Sequence, residues 1–237
     1  MSRIAVSIGE AMIEMSGGTD RTYRQGFAGD TLNTAYYLNA LLAEGWTVRY
    51  ASAVGDDLYS RQMIDFIGGT GIDTSTIRTI EGKRAGLYMI HQADGDRHFT
   101  YWRDTSAAKL LADDATALDA ALSDAELIYF SGITLAILAP EARARLIAAI
   151  GARRTAGATV AFDPNIRPAL WVDTRSVVDA LTAAAEVSSI VLPTHADEVP
   201  YFGDADDEAT AQRYLSAGCV EVVVKNGADP ALVFFFF

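Results

Sequence analysis

Asp163, Asn165 and Arg167 occupy alternate positions in FDPNIRPALW, residues 162–171, directly after the apolar run TVAF. Ligands of open α/β sheets sit beyond the carboxyl ends of the strands, where a carboxylate, an amide and a guanidinium could meet a polar substrate. Arg167 offers a planar fork suited to a carboxylate or phosphate, and Pro164 and Pro168 stiffen the loop that carries it. The same side chains could equally make turn hydrogen bonds and leave Arg167 in water. A second set lies in FTYWRDTSAA, residues 99–108, where Phe99, Tyr101 and Arg103 are two apart and share one face of a strand. With Tyr88 from a partner strand, a phenol and a guanidinium could grip an acidic ligand. An exposed strand face with amphipathic side chains has the same pattern.

GFAGDTLNTAYYLN places Gly29, Asp30 and Asn33 at the start of a helix. Glycine lets a ligand approach the backbone, and Asp30 and Asn33 could bond sugar hydroxyls; Asp30 as a simple N-cap is the alternative. In VVVKNGADPALVF, Lys225 and Gly227 at a strand end could touch a nucleotide phosphate. Asp197 and Glu198 in THADEVPYFGD could bind magnesium through water, or serve as first-turn acids favoured by the helix dipole. His91, His98 and His195 lack metal-ligand spacing, and neither a G-x-x-x-x-G-K-[ST] loop nor a nucleophile elbow is present.

These residues need a scaffold, and its elements are legible. RIAVSI, TVRYASAV, ELIYFSGI, ATVAFD, SSIVL and VEVVVK are short and rich in β-branched residues, and alanine-rich helical patterns separate them. That alternation predicts βα units around a parallel sheet. TLNTAYYLNALLAEG reads as a helix closed by Gly45, and PEARARLIAAIGARRTAG as one begun by Pro140 and ended by Gly157. Residues 12–27 and 76–103 break the pattern with short alternating stretches, including a turn at Asp94, Gly95 and Asp96, and predict a small antiparallel sheet beside the main one.

The 237 residues suffice for one sizeable core, with half of them hydrophobic and about a fifth charged. Gly9 and Glu10 interrupt the early apolar stretch before a signal-peptide core or membrane span forms, so a cytoplasmic protein is expected. The lone Cys219 allows no internal disulfide and reads as a small buried residue leading into a strand. A net charge of -12 disfavours nucleic acid and anionic membranes as partners, while a few local arginines still permit an anionic small substrate.

In order, IGEAMIEM, FAGDTLNTA, AVGDDLYS, GLYMI, YWRDTSAA, YFSGITLAIL, FDPNIRPALW, LPTHADE and VVVKNGADPAL resemble the ribokinase-like (PfkB-type) sugar kinases, and among them the kinases of 2-keto-3-deoxygluconate. The resemblance runs to about Val233. It implies one ribokinase-like α/β domain over residues 1–237, a three-layer sandwich with a mostly parallel central sheet and a small β-sheet lid from about 12–27 and 76–103. Such lids often pair with that of a second subunit, so a homo-oligomer is implied. So is ATP-dependent phosphorylation of the 6-hydroxyl of the sugar acid. Gly29, Asp30 and Asn33 would hold its hydroxyls, Tyr88, Tyr101 and Arg103 would close over it, and Arg167 would pair with its carboxylate. Asn165 would lie near phosphate transfer, Thr194 and Asp197 would take the family's N-x-x-E positions toward Mg2+ and phosphates, and Lys225 and Gly227 would approach ATP.

The family draws its base aspartate and anion hole from a G-A-G-D segment at a helix N-terminus, and the 237 residues contain no such segment. The resemblance places it beyond Phe237, so the chain is expected to be incomplete at its C-terminus, with little turnover and low solubility from the apolar run LVFFFF. A kinase for another sugar such as fructose, and a non-catalytic sugar-acid binding module, remain as alternatives.

Overall fold

Strands buried on both faces read as near-continuous apolar runs, and a parallel sheet is where such strands are found. A computed structural model describes residues 2–17, 22–93 and 96–236 and bears this out. The chain divides into two units, residues 1–121 and 122–237. The first contains, in order, β1 (Arg3–Ile8), β2 (Met12–Gly17), β3 (Tyr23–Ala28), α1 (Asp30–Leu41), β4 (Trp46–Gly55), α2 (Leu58–Gly69), β5 (Ile77–Ile80), β6 (Gly86–Ala93) and β7 (Asp96–Trp102), and α3 (Ala115–Leu122) lies at the boundary. The second contains β8 (Ala125–Ser131), α4 (Gly132–Ile137), α5 (Pro140–Thr155), β9 (Thr159–Asp163), α6 (Thr174–Glu186), β10 (Ile190–Val191), α7 (His195–Phe202), α8 (Asp207–Ser216), β11 (Glu221–Asn226) and β12 (Asp229–Phe235).

In the first unit β1, β4 and β5 run parallel, with β4 between the other two. Ala5, Val6, Ile8, Tyr50 and Val54 from these strands are fully buried or nearly so, and Met63 and Ile67 of α2 join them in the core. Hydrogen bonds between buried groups tie α1 to the strands: the Ser7 hydroxyl donates to the Thr31 carbonyl at 2.8 Å, and the Thr31 and Tyr50 hydroxyls meet at 3.0 Å. The small sheet has the order β3-β2-β6-β7, with β2 parallel to β6 and the other pairs antiparallel. Within the stretch 76–103, β5 instead pairs with β4, and only β6 and β7 form the hairpin. Asp94 and Gly95, the centre of the expected turn, lie outside the described residues.

In the second unit the order is β12-β11-β10-β9-β8, parallel from β8 to β11, with β12 returning antiparallel along the edge. Pro230 sits within that edge strand, where a missing N–H costs least. Pro140 opens α5 at its first turn, as expected, and Arg153 and Arg154 close it where cations suit the helix dipole. The Phe130 and Phe162 rings of adjacent strands stack 4.8 Å apart in the core, and emptying either position to alanine typically costs about 3–5 kcal/mol. Among the described residues no helix is long and apolar enough to cross a membrane.

Candidate active site

Two alternating faces divide the small sheet. Register sets Glu14 opposite Tyr88 and Tyr88 opposite Tyr101, so these three form one cross-strand row. The row one residue away, Ile13, Leu87 and Trp102, points to the other side, which is apolar. On the first face the rings of Tyr88 and Tyr101 are 5.7 Å apart, and Phe99 lies 6.2 Å from each. Tyr88 is 8% exposed and donates its hydroxyl proton to Glu14 Oε2, while Tyr101 is 50% exposed and open to a ligand. Burial, and then the Glu14 carboxylate, push the Tyr88 phenol above its ordinary range.

Arg103 follows β7 directly, its guanidinium carbon 5.9 Å from the Tyr101 ring centre. Its Nη2 donates to Glu10 Oε2, with 10% of the arginine side chain and 1% of the glutamate side chain exposed. Glu10 Oε1 and Arg103 Nε are both buried without a hydrogen-bond partner. Burial pushes the Glu10 carboxyl above the usual carboxylate range, and the Arg103 charge pulls it back. Tyr88, Tyr101 and Arg103, expected together from spacing, are thus brought together.

Gly29 is the N-cap of α1, and no side chain caps this helix; Asp30, weighed as a cap, is the first helical residue. A Cβ at Gly29 would lie 2.3 Å from the Glu10 carbonyl oxygen, so only glycine allows this approach. Asn33 is exposed and lines a surface hollow with Phe27, Leu32, Tyr36 and Phe66.

In the second unit a different cluster forms where β9, β10 and β11 end. Lys225 Nζ donates to both Asp163 carboxylate oxygens, at 2.8 and 2.7 Å, and the Lys225 amide donates to the Pro193 carbonyl at 2.8 Å. Asp163 Oδ1 also accepts from the Asn165 amide at 3.1 Å, and Asn165 takes a left-handed backbone with φ 35°. Lys225, expected to approach a nucleotide, therefore also ties β11 to the loop after β9. Thr194 pairs with Lys225 through a backbone bridge and begins α7, with Asp197 half-buried in the first turn. Gly227 sits at φ 57° in the exposed turn between β11 and β12. The carbonyl oxygen of Pro164 would lie 1.9 Å from a Cβ on Gly132, a contact that fixes the loop's start. Arg167 is exposed, donates to the Ile166 carbonyl at 2.9 Å and makes no ion pair among the described residues.

Glu198, weighed with Asp197 as a magnesium ligand, is fully buried and belongs elsewhere. Arg213 Nη2 donates to its Oε2 at 2.9 Å, and the Tyr214 hydroxyl lies 3.0 Å from both oxygens. Arg213 also bonds Asp204, which accepts from the Thr210 hydroxyl, and lies over the Phe202 and Tyr214 rings. Burial pushes the Glu198 carboxyl up to about 7 despite the neighbouring arginine.

The pfkB family carbohydrate kinase model matches residues 3–235. The chain belongs to this family. It is 39% identical over 238 residues to the 2-dehydro-3-deoxygluconokinase of Escherichia coli strain K12, covering 98% of this chain and 76% of that protein. The enzyme of the same name from Dickeya dadantii strain 3937 is 38% identical, with 95% and 74% covered. A PfkB protein from Polaromonas sp. JS666 superposes with a TM-score of 0.86 at 28% identity, covering 98% of this chain and 79% of that one. The mixed α/β, ribokinase-like fold is therefore shared, and this protein is a carbohydrate kinase.

Spacing did not reveal Glu10 and Glu14, although both stand in IGEAMIEM. A usable signal was present: glutamates within an otherwise apolar stretch must find a cation or a proton donor once buried. Among the described residues no three His, Cys, Asp or Glu side chains cluster as a metal site. A lone Asp197 suits only an ion that keeps most of its water and its phosphate ligands, as Mg2+ does.

Proposed function

We propose that the kinase binds 2-keto-3-deoxygluconate and transfers the γ-phosphoryl group of ATP to its 6-hydroxyl. The row Tyr88–Tyr101 with Arg103 beside it carries this reading, in a chain so similar to enzymes named for that sugar acid. Arg103 and Arg167 suit a carboxylate, since each guanidinium presents several donors in a plane. Tyr101 and the α1 start, with Gly29, Asp30 and Asn33, offer hydroxyl-bonding groups to the rest of the sugar. In the second unit Asn165, Thr194, Lys225 and Gly227 serve the nucleotide side, with Lys225 shared between Asp163 and phosphate. Mg2+, when bound, would be held by Asp197 through water and would neutralise phosphate charge. Phosphoryl transfer demands alignment more than covalent help from the protein, and the residues assigned here bind and align. With no G-A-G-D segment among the 237 residues, a polypeptide of these residues alone is expected to bind the sugar acid with little turnover.

Calorimetry tests the reading. The sugar acid should bind, and fructose only feebly; Arg167→Ala should weaken the acid at least about tenfold, the worth of one charge-assisted contact, and barely change fructose. Equal losses for both sugars would remove Arg167 from the carboxylate, and no binding of the acid at all would end the proposal.

A further inference from the structure

Glu10 touches each segment of the first unit to which a sugar-acid contact has been assigned. Its carbonyl oxygen lies against Gly29, where a Cβ would come within 2.3 Å, so it abuts the start of α1. Its Oε1 lies against Gly86, the first residue of β6, where a Cβ would come within 2.7 Å. Its Oε2 accepts from Arg103, 93 residues away, just past β7. The same missing Cβ at Gly86 leaves room for Arg103 Cβ, which a side chain there would meet at 3.2 Å.

We propose that Glu10 is the positioning residue of the sugar-acid site: it holds the Arg103 guanidinium by one nitrogen and so aims the rest of the fork at the carboxylate of the ligand. The inference rests on the reading that Arg103 contacts the sugar acid. A flexible arginine loses rotamer freedom when it binds a ligand, and anchoring it beforehand removes that cost. The grip is partial. Only one guanidinium nitrogen meets the carboxylate, and Nε and Oε1 both lack partners. Nε is buried out of reach, so the donors left for a ligand are those at the guanidinium end, where Nη1 makes no bond among the described residues.

Titration calorimetry of the 237-residue chain with 2-keto-3-deoxygluconate and with fructose tests this, using wild type, Arg103→Ala, Glu10→Gln, Glu10→Asp and Gly86→Ala. Arg103→Ala should cut the preference for the acid about tenfold or more, with Arg167 keeping the remainder. Glu10→Gln keeps the shape but not the charge and should weaken the acid about tenfold, while Glu10→Asp restores part of the loss. The ratio of acid to fructose affinity should fall, a change that a purely structural residue would not cause. If Glu10→Gln does not fold, Gly86→Ala displaces Glu10 with its charge intact and should show the same fall. A reduced preference in Arg103→Ala with an unchanged ratio in both Glu10→Gln and Gly86→Ala would overturn the role of Glu10 alone. An unchanged preference in Arg103→Ala would overturn the reading beneath it, and the inference too.

Discussion

Two buried glutamates in this chain face an arginine, and they differ in how fully they are satisfied. Glu198 has the Arg213 guanidinium and the Tyr214 hydroxyl on its oxygens, while Arg213 spends its other donors on Asp204 and its flat faces on Phe202 and Tyr214. Glu10 has one nitrogen of Arg103, and each partner keeps a buried polar atom idle. Buried polar groups are normally paired because idle ones forfeit their hydration without return. A network that satisfies itself joins α7 to α8 and has nothing left to offer a ligand. The pair that leaves atoms idle lies beside the aromatic row, where the sugar-acid site is proposed. If the proposal holds, the two pairs are told apart by their unmet bonds, since both glutamates are deeply buried.

Three measurements would sharpen or break this contrast. The largest effect is expected from Arg213→Ala, which strands a buried carboxylate and should cost about 3–5 kcal/mol in urea unfolding. A loss below about 1 kcal/mol, the range of surface pairs, would mean that the network is no lock. Tyr214→Phe removes a donor from Glu198 and should cost about 1–3 kcal/mol by the same measurement, with sugar-acid affinity unchanged. The smallest effect concerns pH. Because burial raises the Glu10 carboxyl in the fold above the ordinary value of 4.5, its contribution is fully present below that pH and is lost as pH rises through the folded value. Glu10→Gln should flatten that part of the stability profile, followed by thermal unfolding from pH 4 upward; an identical slope in the variant would contradict the shift.

The strands and helices were legible because their signals are local. RIAVSI and VEVVVK carry runs of apolar and β-branched residues, as strands of a parallel sheet do, and Pro140 with Gly157 brackets α5. Tyr101 and Arg103 were expected on one strand face from a period of two, but β7 ends at Trp102 and Arg103 reaches the Tyr101 ring from just beyond it. Partners were not legible. Glu14 meets Tyr88 across 74 residues, a contact set by the parallel pairing of β2 with β6, and Glu10 meets Arg103 across 93 from positions outside both strands. Glu198 reads as a helix acid in solvent, yet the packing of α8 buries it against Arg213, 15 residues on. Asp30 has the composition of a cap, but the close approach of Glu10 gives that position to Gly29.

The two faces of the small sheet differ by a single step along the chain. Tyr101 shares a row with Tyr88, and its neighbour Trp102 shares one with Leu87 on the apolar side. Because strand side chains alternate, inserting or deleting one codon between β6 and β7 would turn Trp102 toward the tyrosine face and Tyr101 away from it, with both strands still paired. The chemistry of the tyrosine face therefore rests on the parity of a hairpin, and a one-residue length change that kept the pairing would erase it.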